Sequence, residues 1–430
     1  MLDAGLVLYL GLLVLGSWRW LSGWRLCGAW LEFANYCVLL YLLLLVLLVH
    51  AGYIFIHTAL TEHGKAGWQD LPGWLRPLML GAPAAACITL LCCSTQTMQH
   101  VNEIRRGRAT LKHDRAVQII ALPAVYGIMA MSSLARMFQL TAGSFDDVIL
   151  FQQRNMTAED TRQILISKSE TCFWVGDLYE AWALFQFGKL TLDLIKASLW
   201  KMQSSPVTEQ REGAQALMTA HSAVEAIAWL GVALFLVVCI LQAGWSLYLL
   251  TFTFPVNNWA EYNTRVSQFG AAGMVASAGA MYNVHVVEST FHEYFEGYRP
   301  LLKFITVKII VSLAFFQKGT IWALKAIQAT LPSVMQKVIN RVPLIGDLVR
   351  FDEVQFQLFY DSLILYECIL IALLHVWGWS AYEDWYVEDA DEDKAVEDGE
   401  KTPLLRDGGS EANSSDEPEA HDRRPRRAGL

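Results

Sequence analysis

The chain has 430 residues, of which 54% are hydrophobic and only 17% charged, and its mean hydropathy is positive. One soluble core could not hide that much apolar surface, so lipid is the expected solvent. The net charge of −9 is carried by the last part of the chain. With no basic stripe elsewhere to neutralise phosphates, a nucleic-acid partner is excluded.

Leu2 to Trp18 is apolar but carries Asp3 where a signal peptide would be basic, and no small-residue cleavage site follows. It is read as a retained segment, somewhat short for a full crossing. Five later stretches, Phe33 to Leu60, Pro77 to Asn102, Ala116 to Ala135, Ala226 to Ala260 and Val266 to Val287, contain no Asp, Glu, Lys or Arg. Each meets the roughly 20 apolar residues that a spanning helix needs. Three more, Cys172 to Ile195, Leu302 to Ile327 and Gln355 to Tyr382, contain charges. The expected fold is therefore an all-α polytopic membrane bundle of roughly seven to nine spans.

Arg19 and Arg25, then Arg105 to Arg115, then Lys196 to Arg211 mark loops expected in the cytosol, because positive charge collects there. That places Asn155-Met-Thr157, an N-glycosylation acceptor, outside. The basic stretch from Lys325 to Arg350 fits an outside loop poorly and suggests an interfacial helix. Ala272, Ala276 and Ala280, with Gly273 and Ser277, repeat every fourth residue, a pattern that lets helices approach closely.

Cysteines lie mostly in apolar runs without metal or disulfide spacing, and Cys92 and Cys93 are the candidates for palmitoylation. His285, Glu288, His292 and Glu296 share one helical stripe, read as the polar end of a span rather than a metal site, since only one helix supplies them. No phosphate loop, metallopeptidase motif or nucleophile arrangement is present, so neither an enzyme nor a cofactor is expected.

Charges inside spans cost roughly 2.5–3.5 kcal/mol each and usually face the bundle interior. Asp177 and Glu180, at i and i+3, share a helix face. They either line a solute path or hydrate a helix end at the interface. Glu367 lies well inside the last span, and Lys308 and Gln317 in the preceding one are the expected partners. After Tyr382 acidic and small polar residues dominate, so 383–430 reads as a disordered cytosolic tail. It holds 16 acidic and 7 basic residues. Within it, Glu400 followed by Leu404 and Leu405 resembles the acidic dileucine signal read by clathrin adaptors, and Ser414 and Ser415 resemble acidophilic kinase sites. The run Arg423 to Arg427 is read as a solvated tail end.

Tyr298-Arg-Pro-Leu-Leu-Lys303-Phe-Ile-Thr-Val-Lys308, continuing to Phe315-Phe316-Gln317, resembles the P-x-L-K-F-x-x-V-K and F-W-Q signature of the organic solute transporter alpha and transmembrane protein 184 family. Asp177-Leu-Tyr179-Glu180-Ala181 with Phe187 resembles its D-x-Y-E-A motif, and Tyr282, Glu293, His100, Pro123, Tyr126 and Glu367 are further matches. The resemblance divides the chain into an N-terminal hydrophobic extension (1–75), a seven-span core (76–382) and the tail (383–430). An apolar residue near Met129 to Met131 replaces a family acid, a family lysine has no counterpart in Ala226 to Phe254, and Phe316 replaces a tryptophan.

The resemblance implies a facilitative carrier of amphipathic organic solutes such as steroid conjugates and bile acids. It further implies contact with membrane lipid and a small single-span beta subunit. Asp177, Tyr179, Glu180, Lys303, Lys308, Gln317 and Glu367 become the candidate transport-path residues. The plasma membrane or endosomal and vacuolar membranes are the expected locations. The alternative is an endosomal or vacuolar scaffold or receptor-like protein that works through its tail.

Overall fold

The computed structural model describes residues 3–22, 29–106, 110–143, 158–203, 208–252, 259–291, 298–331, 335–336, 341–342 and 344–386. All regular structure among these residues is helical: α1 (Ala4–Ser22), α2 (Ala29–Leu60), α3 (Glu62–Asp70), α4 (Leu75–Arg105), α5 (Thr110–Ile120), α6 (Leu122–Thr141), α7 (Ala158–Gln203), α8 (Thr208–Phe252), α9 (Trp259–Phe291), α10 (Pro300–Thr330), α11 (Ile345–Arg350) and α12 (Glu353–Gly378). A 3-10 turn, Asp384–Tyr386, follows. Residues 1–388 form one compact unit, so the segment 1–75 shares a body with 76–382. Asn155 and the tail residues Glu400, Leu404 and Leu405 lie outside the described residues.

Five described segments are long and apolar enough to cross a membrane: Tyr36–Leu60, Leu75–Arg105, Leu111–Thr141, Glu225–Thr251 and Glu353–Gly378. Four coincide with charge-free stretches of the sequence. The fifth is the last span, despite its charges. Val266 to Val287 does form the middle of α9, but small residues (Gly, Ala, Ser) and polar ones (Gln, Asn, His) together make up more than half of it and lower its hydropathy.

The centre of the bundle is α6, enclosed by α2, α4, α7 and α12. The most apolar stretch within Leu111–Thr141 is entirely buried within the protein, whereas only 25% of that of α8 is. The expected single span Ala116 to Ala135 is broken at Ala121, where Pro123 occupies the first turn of α6. Proline has no N–H to give and crowds the preceding turn, so a new helix starts there.

Expected from Cys172 to Ile195, α7 runs for 46 residues, and α8 for 45. At 1.5 Å per residue each is about 68 Å long, twice the roughly 30 Å of bilayer hydrocarbon. The two pack against each other and α9 packs back on α8. The small-residue stripe serves this last contact: Ala276 and Ala280 are buried, and a Cβ on Gly273 would touch Val238 and Gln242 of α8. Arg299, in the left-handed conformation with φ 51°, sets the direction in which α10 leaves at Pro300. The region expected to hold an interfacial helix contains α11, anchored by the Trp74 indole, which donates to Asp347 Oδ2 at 3.0 Å.

The N-terminal segment is docked by its one charge. Asp3 Oδ1 accepts from the backbone N–H of Gly5 at 3.0 Å, capping α1, and pairs with Arg136 of α6 at 2.9 Å. Burial pushes the Asp3 carboxyl up, but the charges of Arg136 and Lys168, with hydrogen bonds from Arg136 and Leu6, hold it below its ordinary value.

Candidate functional site

Four helices meet around Lys308 of α10. Its ammonium lies 2.8 Å from Glu180 Oε1 of α7, donates to Ser277 Oγ of α9 at 3.0 Å and sits 4.9 Å from the centre of the Phe235 ring of α8. The side chains of Glu180 and Lys308 are 1% and 6% exposed. Such burial is tolerable only because each charge answers the other, and removing one partner would leave an uncompensated ion. Glu180 Oε2 accepts no hydrogen bond among the described residues.

One turn earlier on α7, Asp177 accepts a hydrogen bond from the Tyr126 hydroxyl of α6. Tyr126 reaches it because position 176 is glycine: a Cβ there would come within 3.1 Å of the tyrosine ring. Asp177 and Glu180 do share a face, yet they serve different neighbours. Tyr179 points elsewhere, donating to the backbone oxygen of Gln118 on α5 at 2.8 Å.

A second polar contact joins α10 to α12, where Gln317 Nε2 donates to Glu367 Oε1. Glu367 Oε2 and Gln317 Oε1 are buried and accept no hydrogen bond among the described residues. Both Lys308 and Gln317 were expected beside Glu367. Gln317 is there, but Lys308 is claimed by Glu180 because α10 turns that face toward α7.

Lys303, five residues before Lys308, stands on a different face of α10. Its ammonium pairs with Glu383 Oε2 at 2.6 Å, after the last span. The Glu180, Asp177 and Lys308 group and the Lys303 group are therefore separate centres.

Cys93 is 1% exposed and Cys92 half-buried, both about three turns from the C-terminal end of α4. Palmitoylation needs a thiol accessible near the surface, which Cys93 does not offer here. Among the described residues no group of three or more His, Cys, Asp and Glu could hold a metal. The stripe from His285 to Glu296 falls outside the described side chains.

Several buried pairings carried no signal in the sequence, although His100 itself was marked by the family resemblance. Ser133 of α6 donates to Asp361 of α12 and contacts Ser169 of α7, and Gln357 donates to the same carboxylate at 2.7 Å. His100 of α4 meets His113 of α5 at 2.9 Å. Ser277 was visible only as part of a packing stripe. Sequence spacing can place residues on one helix face, but these contacts join helices far apart in the chain.

The family model described as organic solute transporter Ostalpha matches residues 163–384. That range runs from the first turns of α7 through α12 and holds both centres on α10, with Glu383 after the last span. His100, Pro123 and Tyr126 lie before it. No curated protein and no solved structure matches the chain.

Proposed function

Because the chain belongs to the organic solute transporter Ostalpha family and is by that membership a membrane solute transporter, we propose that its cargo is an amphipathic organic anion of steroid or bile-acid type, moved facilitatively past Glu180 and Lys308. The observation that carries this reading is the buried Glu180–Lys308 pair, where α7, α8, α9 and α10 converge inside the matched region. Ionisable groups inside a membrane bundle are costly even when paired, and where they occur they mark solute or ion paths. A carboxylate or sulfonate on the cargo can replace Glu180 at the Lys308 ammonium, since both are anionic acceptors of similar shape. Hydroxyl groups on the same cargo would find acceptors in Glu367 Oε2 and Gln317 Oε1, which are otherwise unmet among the described residues.

The test is uptake of a labelled steroid sulfate or bile acid into proteoliposomes containing the full chain. Saturable uptake that falls at least tenfold in Glu180→Gln, with normal insertion and abundance, is expected. Uptake equal to empty liposomes, or full flux in the variant, would overturn the assignment of cargo and path respectively.

The proposal includes two partners. A small single-span beta subunit would find exposed small residues, Gly270, Ala271 and Ala272, on α9, a surface that admits close helix packing. A clathrin adaptor would read Glu400, Leu404 and Leu405, placing the protein in endosomal or vacuolar membranes. Leu404→Ala with Leu405→Ala should then shift a tagged chain toward the cell surface, and an unchanged distribution would remove the motif.

A further inference from the structure

Beyond Gly378 the chain does not leave the bundle. Residues 379–386 fold back over the end where α4 and α12 finish and α5 and α10 begin, and Trp379, Ala381, Trp385 and Tyr386 are all buried. The Trp379 backbone oxygen accepts from Gln96 Nε2 and His100 Nε2, each at 2.9 Å, while its indole donates to Thr306 Oγ1 at 2.9 Å. Lys112 Nζ donates to the Trp385 oxygen at 3.3 Å. Tyr386 stacks on His113 with ring centres 4.0 Å apart. This strap is therefore tied to α4, α5 and α10 at once.

Two of its ties are of a kind that can be undone. Lys303 is 1% exposed, boxed by the rings of Tyr298, Trp379 and Trp385 at 4.8, 5.4 and 5.2 Å. Glu383 of the strap supplies its counter-charge at 2.6 Å. Without the strap, the box opens and Lys303 is left to water at the first turn of its helix. Under the strap lie His100 and His113, whose Nδ1 atoms face each other at 2.9 Å. A carbonyl cannot donate, so His100 Nε2 carries the hydrogen given to Trp379, and neutral His100 must accept at Nδ1 from His113. Facing nitrogens at that distance share one proton. With both rings charged, N–H would confront N–H and the contact could not persist. The charged and titratable groups around the pair are Glu103 of α4, Lys112 and Arg115 of α5, the latter paired with Asp193 of α7, Lys303 of α10, and Glu383 and Tyr386 of the strap.

We propose that residues 379–386 form a gate over this end of the bundle, closed in this structure and released when the facing His100 and His113 take up protons. Basic residues of the α4–α5 connection place this end in the cytosol by charge bias, so the gate answers cytosolic acidification. Its bearing on flux rests on the transporter reading, but its opening does not.

The experiment places a cysteine at Ala381, which is 4% exposed, in the full chain in proteoliposomes. Labelling by an impermeant maleimide is read by peptide mass spectrometry and divided by that of Tyr382→Cys, 68% exposed, which cancels the reagent's own pH dependence. From pH 7.5 to 5.5 the ratio should rise about tenfold or more, because protons bind preferentially to the open form. His113→Phe, which keeps a ring against Tyr386, should flatten the profile. Glu383→Gln should raise the ratio already at pH 7.5. Where His113→Phe fails to fold, His100→Gln retains a donor for Trp379 and should flatten the profile equally. A ratio unmoved by pH, or a rise that persists in both histidine variants, would overturn the gate. No cargo is needed, so failure of the uptake assay leaves this result interpretable.

Discussion

At the residue scale, the pairing of Glu180 with Lys308 makes a prediction that separates packing from transport. Lys308→Met leaves Glu180 charged and buried, at a cost of about 3–5 kcal/mol. Combined with Glu180→Gln it leaves no ion, so thermal stability in detergent should return most of the way toward the parent. Flux should stay lost in the double variant. If the single and double variants are equally unstable, the two residues do not answer each other as the 2.8 Å separation indicates. The sequence marked each of these side chains as costly in lipid and named Lys308 and Gln317 as partners for Glu367, but it could not decide which carboxylate takes the lysine. Asp177 and Glu180 share a helix face, and only the approach of α6 to one and α10 to the other decides that Asp177 receives Tyr126 while Glu180 takes the lysine. Gly176 shows the same limit: its place in a helix is unremarkable until Tyr126 is found lying across it.

At the element scale, the docking of α1 depends on Asp3, which both caps its own helix and pairs with Arg136 of α6. Asp3→Asn retains capping ability but removes the charge, leaving Arg136 without its carboxylate partner. A loss of about 3 kcal/mol is expected, read as faster proteolysis of the N-terminal segment and a lower melting temperature. The pH dependence follows from the depressed carboxyl. Its contribution is fully present above the ordinary value of 3.8 and fades as pH falls through the lower value held in the folded chain. A variant with parental proteolysis would mean that apolar packing alone holds α1. Charge-free runs in the sequence located α2, α4, α6 and α8, since lipid and core both demand them. They did not give the length of α7 or α8, because those helices continue into polar sequence whose helicity has no hydropathy signal.

At the scale of the whole molecule, the ends of the bundle have distinct characters. The strap, with the end of α4 and the starts of α5 and α10, occupies one end, while Asp3, Arg136 and Lys168 gather toward the end where α6 finishes and α7 begins. Asn155, between α6 and α7, should therefore be glycosylated on the face opposite the tail. Glycosylation scanning at Asn155 and protease access at Glu400 check this, and a report of the same side would break the assignment. What the sequence by itself determined is the solvent, the helical class, most of the spans and the family motifs, because the bilayer imposes length and polarity on each segment independently of the others. Beyond the expected Gln317–Glu367 contact, tertiary structure decided which polar groups meet. It split Lys303 from Lys308, five residues away, by turning one toward Glu383 of the strap and the other toward Glu180 of α7. It also folded 379–386 back over His100 and His113, since a buried charge or imidazole is satisfied by whatever helix packing brings within about 3 Å, and that is a property of the assembled bundle.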